Sequence, residues 1–240
     1  MIRIPILRAG SAEAFPPVET ALAEPDGLLA AGGDLSPARL VEAYRHGIFP
    51  WYSEGQPILW WSPDPRTVFA TDRVHVATRF ARWLRQSPWT FRFDTAFADV
   101  MLACAAPRAG QAGTWITAKM FDAFVEMHRL GHAHSLEVYA DDELVGGIYG
   151  LALGRMFYGE SMFSLASNAS KAALVALCRH LDAHGYPLLD AQVSSSHLSS
   201  LGAFAMPRRR FVAEVARLVA LPGRVGPWTE SEPGHVRELV

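Results

Sequence analysis

A mixed α/β architecture in two unequal parts is predicted by three features of the sequence. From about residue 66 onward, short apolar runs at strand spacing alternate with segments of helical period. Two of the runs flank Asp141-Asp142-Glu143, a hairpin signal, so the sheet is expected to be partly antiparallel. The first sixty-odd residues differ, reading as loop, one short helix and a dense aromatic–proline stretch. The boundary is placed near residue 64, giving an N-terminal domain over 1–64 and a larger domain over 65–240.

The first helix is punctuated by Ser36 as N-cap, Pro37 at its first position and Gly47 just past its end. Leu40, Val41 and Tyr44 give it an apolar stripe. Prolines 50, 57, 63 and 65 then hold an extended path that carries Trp51, Trp60 and Trp61. Strands are predicted over 66–71 and 89–93 around a helix at 74–86. Asp94 is positioned to cap a helix through Ala105, and Thr117 to cap another through Leu130, stopped by Gly131. Strands follow over 135–140, 144–153 and 155–163, then a long helix over 168–184 stopped by Gly185. A short strand over 187–193 comes next, and Pro207 opens a further helix.

With 50% hydrophobic and 19% charged residues in 240, the chain can bury a substantial core and is not disordered as a whole. It has no apolar run long enough to span a bilayer, and its N-terminus lacks the h-region of a signal peptide. Cys104 and Cys178 have no Cys-x-x-Cys spacing, which argues against a disulfide framework and suits a reducing cytosol. The net charge of −2 looks unfavourable for binding nucleic acid, but it conceals local structure. Residues 65–92 hold six arginines against Asp72 alone, and Arg79, Arg82 and Arg85 recur near one helical face. Arg208-Arg209-Arg210 forms a second cluster. Such clusters are either solvated faces or a localised phosphate-binding surface.

Three groups of residues could carry chemistry. The tryptophans, with Trp115 in Gly113-Thr114-Trp115-Ile116-Thr117, are either core or a stacking platform for a planar group such as a nucleobase. Asp190 and Gln192, two apart on an apolar strand, are expected on one sheet face. A carboxylate among leucines is costly to bury unless it is hydrogen-bonded, so the pair is either a strand end in water or a site. Glu160 is a similar polar insertion in an apolar strand. By contrast, His132-x-His134 with Glu137 has no third ligand at a standard spacing, and neither a Walker loop, Gly-x-Gly-x-x-Gly nor Gly-x-Ser-x-Gly occurs. No metal and no cofactor are expected.

These stretches resemble the leucyl/phenylalanyl-tRNA–protein transferase family. The matching segments run in order over roughly residues 15–210: Glu24–Ala30, Gly32–Pro37, Gly47–Trp51, Leu59–Arg66, Gly113–Thr117, Gly131–Ser135, Leu144–Gly147, Gly159–Ser164, Asn168–Lys171 and Ser200–Ala203. The resemblance implies a small N-terminal domain on a C-terminal acetyltransferase-like (GNAT) catalytic domain; a cytoplasmic monomer is expected. The implied activity is transfer of Leu, Phe or, less well, Met from aminoacyl-tRNA to proteins beginning with Arg or Lys, marking them for N-degron proteolysis.

By resemblance, the catalytic pair falls on Asp190 and Gln192. Trp51, Trp115 and Glu160 fall on the 3′-adenosine site. The amino-acid pocket falls on Ile148, Phe157, Met162, Leu174, Leu181 and Leu189, and the tRNA-binding patch on Arg73, Arg79, Arg82 and Arg85. The chain departs from the family pattern at Phe124, where a Tyr is familiar. A CoA-dependent acetyltransferase of the same fold would need a Gly-containing pyrophosphate loop, which Leu165–Ser170 lacks. A non-catalytic tRNA-binding module would have no need of Asp190 and Gln192 on one strand.

Overall fold

The computed structural model describes residues 4–107, 114–229 and 233–240; Gly113 of the Trp115 segment lies outside them. The chain runs through β1 (Ile6–Leu7), β2 (Leu28–Gly32), α1 (Pro37–Arg45), β3 (Phe49–Pro50) and β4 (Leu59–Trp61). It continues with β5 (Arg66–Ala70), α2 (Thr78–Gln86), β6 (Thr90–Phe93), α3 (Phe97–Ala105) and α4 (Ala118–Arg129). Then come β7 (Ala133–Ala140), β8 (Glu143–Leu153), β9 (Met156–Ser164), α5 (Ala169–Ala183) and β10 (Leu188–Gln192). The last elements are α6 (Ser196–Ser200), β11 (Phe204–Met206), α7 (Arg208–Val219) and β12 (Gly234–His235).

Local chemistry explains the helix starts. Ser36 Oγ accepts from the Arg39 amide with Pro37 at the first position, and Thr117 Oγ1 accepts from the Met120 amide. Asp94 does not cap α3, contrary to expectation. It takes a left-handed φ of 55°, and its carboxylate accepts from His134 Nδ1, the Ser135 amide and the Trp228 amide. Burial opposes its charge, but those hydrogen bonds prevail and hold the carboxyl below its ordinary range. His134, considered above for a metal, instead faces Asp94 at 2.9 Å and stacks on the Trp228 indole at 3.9 Å.

Strands β1, β2, β4 and β3 form a four-stranded sheet in that order, where the sequence read as loop and extended chain. They are only two to five residues long, too short for an alternating pattern to mark them. The second sheet has eight strands, ordered β11-β5-β10-β9-β8-β7-β6-β12. Only β9 and β10 run parallel in it, as a crossover through α5 requires; its other pairs are antiparallel. The β7–β8 hairpin turns on Asp141 and Asp142, both at positive φ, as a two-residue turn of the primed type needs.

Apolar clusters fill both faces of the large sheet. One holds α5 with Phe69, Phe80, Leu136, Ile148, Leu189 and Trp228. The other gathers α1, α3, α4 and α7 with Trp60, Tyr149 and Tyr158. The C-terminal segment closes the first cluster: Trp228 is fully buried, Val236 and Leu239 pack with it, and β12 pairs with β6. Among the described residues, no helix is long and apolar enough to cross a membrane. Trp228→Ala removes the indole that stacks on His134 and is expected to cost about 3–5 kcal/mol in urea unfolding, as for other buried tryptophans.

Candidate active site

The site lies where β9 and β10 part. Their parallel pairing ends at Asp190 opposite Tyr158, and each strand then carries a bulge. In β9, Tyr149 pairs with Ser161 and Gly150 with Gly159, so Glu160 is the extra residue. In β10, Asp190 pairs with Val68 and Gln192 with Thr67, leaving Ala191 extra, and Gln192 takes a φ of 61°. Regular strand alternation therefore ends at Asp190. Bulges re-aim side chains, and these two bring Glu160 and Gln192 together: Gln192 Nε2 donates to Glu160 Oε1 at 3.0 Å. Gly150, opposite the β9 bulge, has no room for a side chain, since a Cβ there would lie 2.1 Å from the Tyr158 carbonyl oxygen.

Both residues line a pocket of about 440 Å³. Trp51 and Trp115 form part of its wall, and Trp51 is 44% exposed. Trp51 is braced by Trp61, whose indole N–H donates to the Trp51 carbonyl at 2.7 Å and whose ring meets it edge-on at 5.6 Å. Ile148, Met162, Leu174 and Leu189 supply an apolar surface, and Phe69 of β5 adds to it. Sequence reasoning missed Phe69, together with Phe49 and the Val193–Ser195 turn. Only the pairing of β5 with β10 and the packing of β3 bring these to the pocket.

Two residues assigned to the amino-acid pocket do not line it. Leu181 lies two helical turns beyond Leu174 on α5, about 10 Å along the axis, and is fully buried near Tyr186. The Phe157 ring is buried in the same cluster, 5.8 Å from that of Trp228. Asp190 does not line it either. Its side chain has no exposure, and both oxygens are held by Arg66, with Nε to Oδ1 at 2.8 Å and Nη2 to Oδ2 at 2.7 Å. Oδ1 also accepts from the Gln192 amide at 2.8 Å. The Arg66 guanidinium lies between the rings of Phe49 and Phe211, at 4.6 and 4.7 Å, and donates to the Gly47 carbonyl. Asp190 is thus a support behind Gln192, with no surface to present to a substrate.

Among the described residues that line the pocket, Glu160 alone is ionisable. Its Oε1 accepts from Tyr44 Oη at 2.6 Å as well as from Gln192, and its Oε2 has no partner among the described residues. Burial pushes the carboxyl up to about 8, against the pull of the Tyr44 and Gln192 hydrogen bonds. Because the Gln192 amino group is committed to Glu160, its amide oxygen is left for the pocket. The site can therefore flank a planar group with indoles, enclose an apolar side chain and accept a hydrogen bond from an amine.

Residues 68–216 match the leucyl/phenylalanyl-tRNA protein transferase family, and residues 33–64 match the N-terminal domain of the same family. A leucyl/phenylalanyl-tRNA–protein transferase of Xanthomonas oryzae pv. oryzae is 60% identical over 235 residues, covering 97% of this chain and 94% of its own. That of Xanthomonas euvesicatoria pv. vesicatoria is 61% identical over 96% of this chain and 92% of its own, and that of Xylella fastidiosa 60% over 85% of each. The chain belongs to the leucyl/phenylalanyl-tRNA–protein transferase family. It is an aminoacyltransferase, acting between aminoacyl-tRNA and protein. Among solved structures, the C-terminal domain of a putative lysylphosphatidylglycerol synthetase from Agrobacterium fabrum overlaps at a TM-score of 0.39 and 11% identity, over 71% of this chain and 56% of that one.

The basic residues of this transferase divide into two kinds. Arg79, Arg82 and Arg85 stand exposed along α2 with no ion-pair partner among the described residues, and exposed Arg73 lies 3.3 Å from Asp72. None of the four lines the pocket. The segment before α2 is tied to the pocket's surroundings: the His75 amide donates to the Leu201 carbonyl at the end of α6, and Leu198 of α6 lines the pocket. In the second cluster, Arg208 is a structural residue, donating to the Ser62 carbonyl through Nη1 and to Asp64 through its amide. Arg66→Met or Asp190→Asn alone strands a buried charge. Each is expected to cost about 3–5 kcal/mol in urea unfolding, and the double variant Arg66→Met/Asp190→Leu less than the sum of the single losses.

Proposed function

We propose that this transferase moves Leu, Phe and, less well, Met from aminoacyl-tRNA to the N-terminal Arg or Lys of acceptor proteins, marking them for N-degron proteolysis in the cytoplasm. In this reading it works as a monomer with an N-terminal domain over 1–64 and a GNAT-like catalytic domain over 65–240. The observation that carries the proposal is the pocket itself, which joins an indole wall, an apolar surface and the Gln192 amide. Trp51 and Trp115 flank the 3′-terminal adenosine. Ile148, Met162, Leu174 and Leu189 enclose the aminoacyl side chain, with Phe157 and Leu181 packed behind them. Arg73, Arg79, Arg82 and Arg85 meet acceptor-stem phosphates.

An aminoacyl ester is already activated, so an amine can displace the tRNA without a covalent enzyme intermediate. The nitrogen lone pair attacks the carbonyl carbon and the carbon–oxygen bond to the ribose breaks. Of the two protons the ammonium loses, one ends on the ribose oxygen and one in solvent. Holding ester and amine together supplies at most about 7–11 kcal/mol of the barrier. Gln192 serves as the direct contact: its amide oxygen accepts from the attacking amine and sets its approach. Asp190 contributes indirectly by holding the Gln192 backbone, and Glu160 by holding its side chain.

Purified protein given labelled Leu-tRNA or Phe-tRNA and peptides beginning with Arg, Lys or Ala is expected to label only the first two. Acetylation from CoA without tRNA would overturn the reading. Gln192→Ala is expected to lower kcat about 10²-fold or more while tRNA still binds, measured by single-turnover transfer. Arg79→Ala/Arg82→Ala/Arg85→Ala is expected to weaken tRNA binding and to flatten the slope of log K against log salt by about 2–3, measured by filter binding.

A further inference from the structure

We propose that Tyr44 and Glu160 form a positioning unit that holds the Gln192 amide with its oxygen toward the acceptor amine, and that the ionisation of Glu160 decides how firmly it is held. The proposal rests on the reading above that Gln192 contacts the amine. Tyr44 belongs to α1, far from the strands in sequence, yet it is fully buried against the large sheet. Its hydroxyl donates to Glu160 Oε1 at 2.6 Å, its carbonyl accepts from Tyr158 Oη at 2.7 Å, and the two rings meet edge-on at 5.0 Å. Tyr44 therefore has little freedom, and it delivers its hydroxyl to the carboxyl oxygen that also receives Gln192 Nε2.

Both donors point at an oxygen whose charge is not fixed. A carboxylate holds the Gln192 amino group by a charge-assisted bond roughly twice as strong as a neutral one. The neutral acid holds it more weakly. The acid can also offer its own O–H to the Gln192 oxygen once the amide turns over, withdrawing that oxygen from the pocket. The groups that act on Glu160 are Tyr44 from α1, Gln192 and Asp190 from β10, Arg66 from β5 and Tyr149 from β8. Arg66 is bound to Asp190, which leaves Glu160 without a cation of its own among the described residues. Burial thus prevails and keeps it protonated up to about pH 8.

The sign for stability follows from the same shift. Because the folded state raises this carboxyl from its ordinary 4.5 to about 8, Glu160 costs the fold stability as pH rises through that window. Glu160→Gln, which keeps the shape and cannot ionise, is therefore expected to fold and to melt above wild type at pH 8–9.

The test is single-turnover transfer to a saturating Arg-peptide from pH 6 to 9.5 with wild type, Glu160→Gln and Tyr44→Phe. The acceptor amine titrates alike with all three, so the ratio of rates isolates Glu160. The wild-type to Glu160→Gln ratio is expected to rise about tenfold with a midpoint near 8, while the Kd for Phe-tRNA changes less than threefold. Tyr44→Phe removes a hydrogen bond that favours the carboxylate and is expected to move the midpoint alkaline. A ratio independent of pH, or an unmoved midpoint in Tyr44→Phe, overturns the proposal. If no protein transfers label from any tRNA, the functional reading itself has failed. The inference then stands or falls on NMR of 13Cδ-glutamate in the free full-length protein. A Glu160 midpoint near 8 that rises in Tyr44→Phe supports it, and one in the usual 4–5 range overturns it.

Discussion

One buried ion pair joins the parts of this molecule that must be held together for a pocket to exist. Arg66 enters at the start of β5, and its guanidinium reaches Asp190 on β10, the Gly47 carbonyl after α1, the Phe49 ring of β3 and the Phe211 ring of α7. An isolated pair of this kind gains little net stability, because each ion gives up its hydration. Here each guanidinium nitrogen and each carboxylate oxygen has a partner, and two aromatic faces cover the cation. The pair's value is geometric. It sets β10 against the N-terminal sheet, and through Asp190 Oδ1 it fixes the backbone at Gln192.

The same pair makes the two carboxyl groups of the region unlike. Asp190 has a guanidinium and no access to the pocket; Glu160 has pocket access and, among the described residues, no guanidinium. Two carboxyls on adjoining strands would otherwise compete for one environment. Separating them leaves one charged scaffold and one group whose state follows its surroundings, a common division of labour in sites that handle protons.

Most of what rests on local chemistry was legible in the sequence, though the Ser195 cap that opens α6 was missed. The Ser36 and Thr117 caps, the Asp141–Asp142 turn, α5 with its Gly185 stop and the α7 start after Pro207 all depend on residues within a few positions of one another. The polar residues of the site were legible too, because Glu160, Asp190 and Gln192 interrupt apolar strands. Their partners were not. Arg66 and Asp190 are 124 positions apart, Tyr44 and Glu160 are 116 apart, and nothing local to either residue names the other. The same distance hid the fate of Asp94, whose cap-like position is overridden by His134 and Trp228. Strands β1, β3 and β4 exist only because neighbouring segments complete their ladders, and the two bulges break the alternation from which a shared face was inferred.

Those bulges also bear on how such a site can change over time. A residue inside a ladder answers to the one across from it, so altering it disturbs pairing as well as chemistry. Glu160 has no counterpart on β8, and Ala191 beside Gln192 has none on β5. Glu160 is therefore loosely coupled to the register of the sheet, while Gln192 keeps its place opposite Thr67 across a bulge that absorbs change beside it. Selection can rework the chemistry at the parting of β9 and β10 while the hydrogen-bonded frame on either side is left intact.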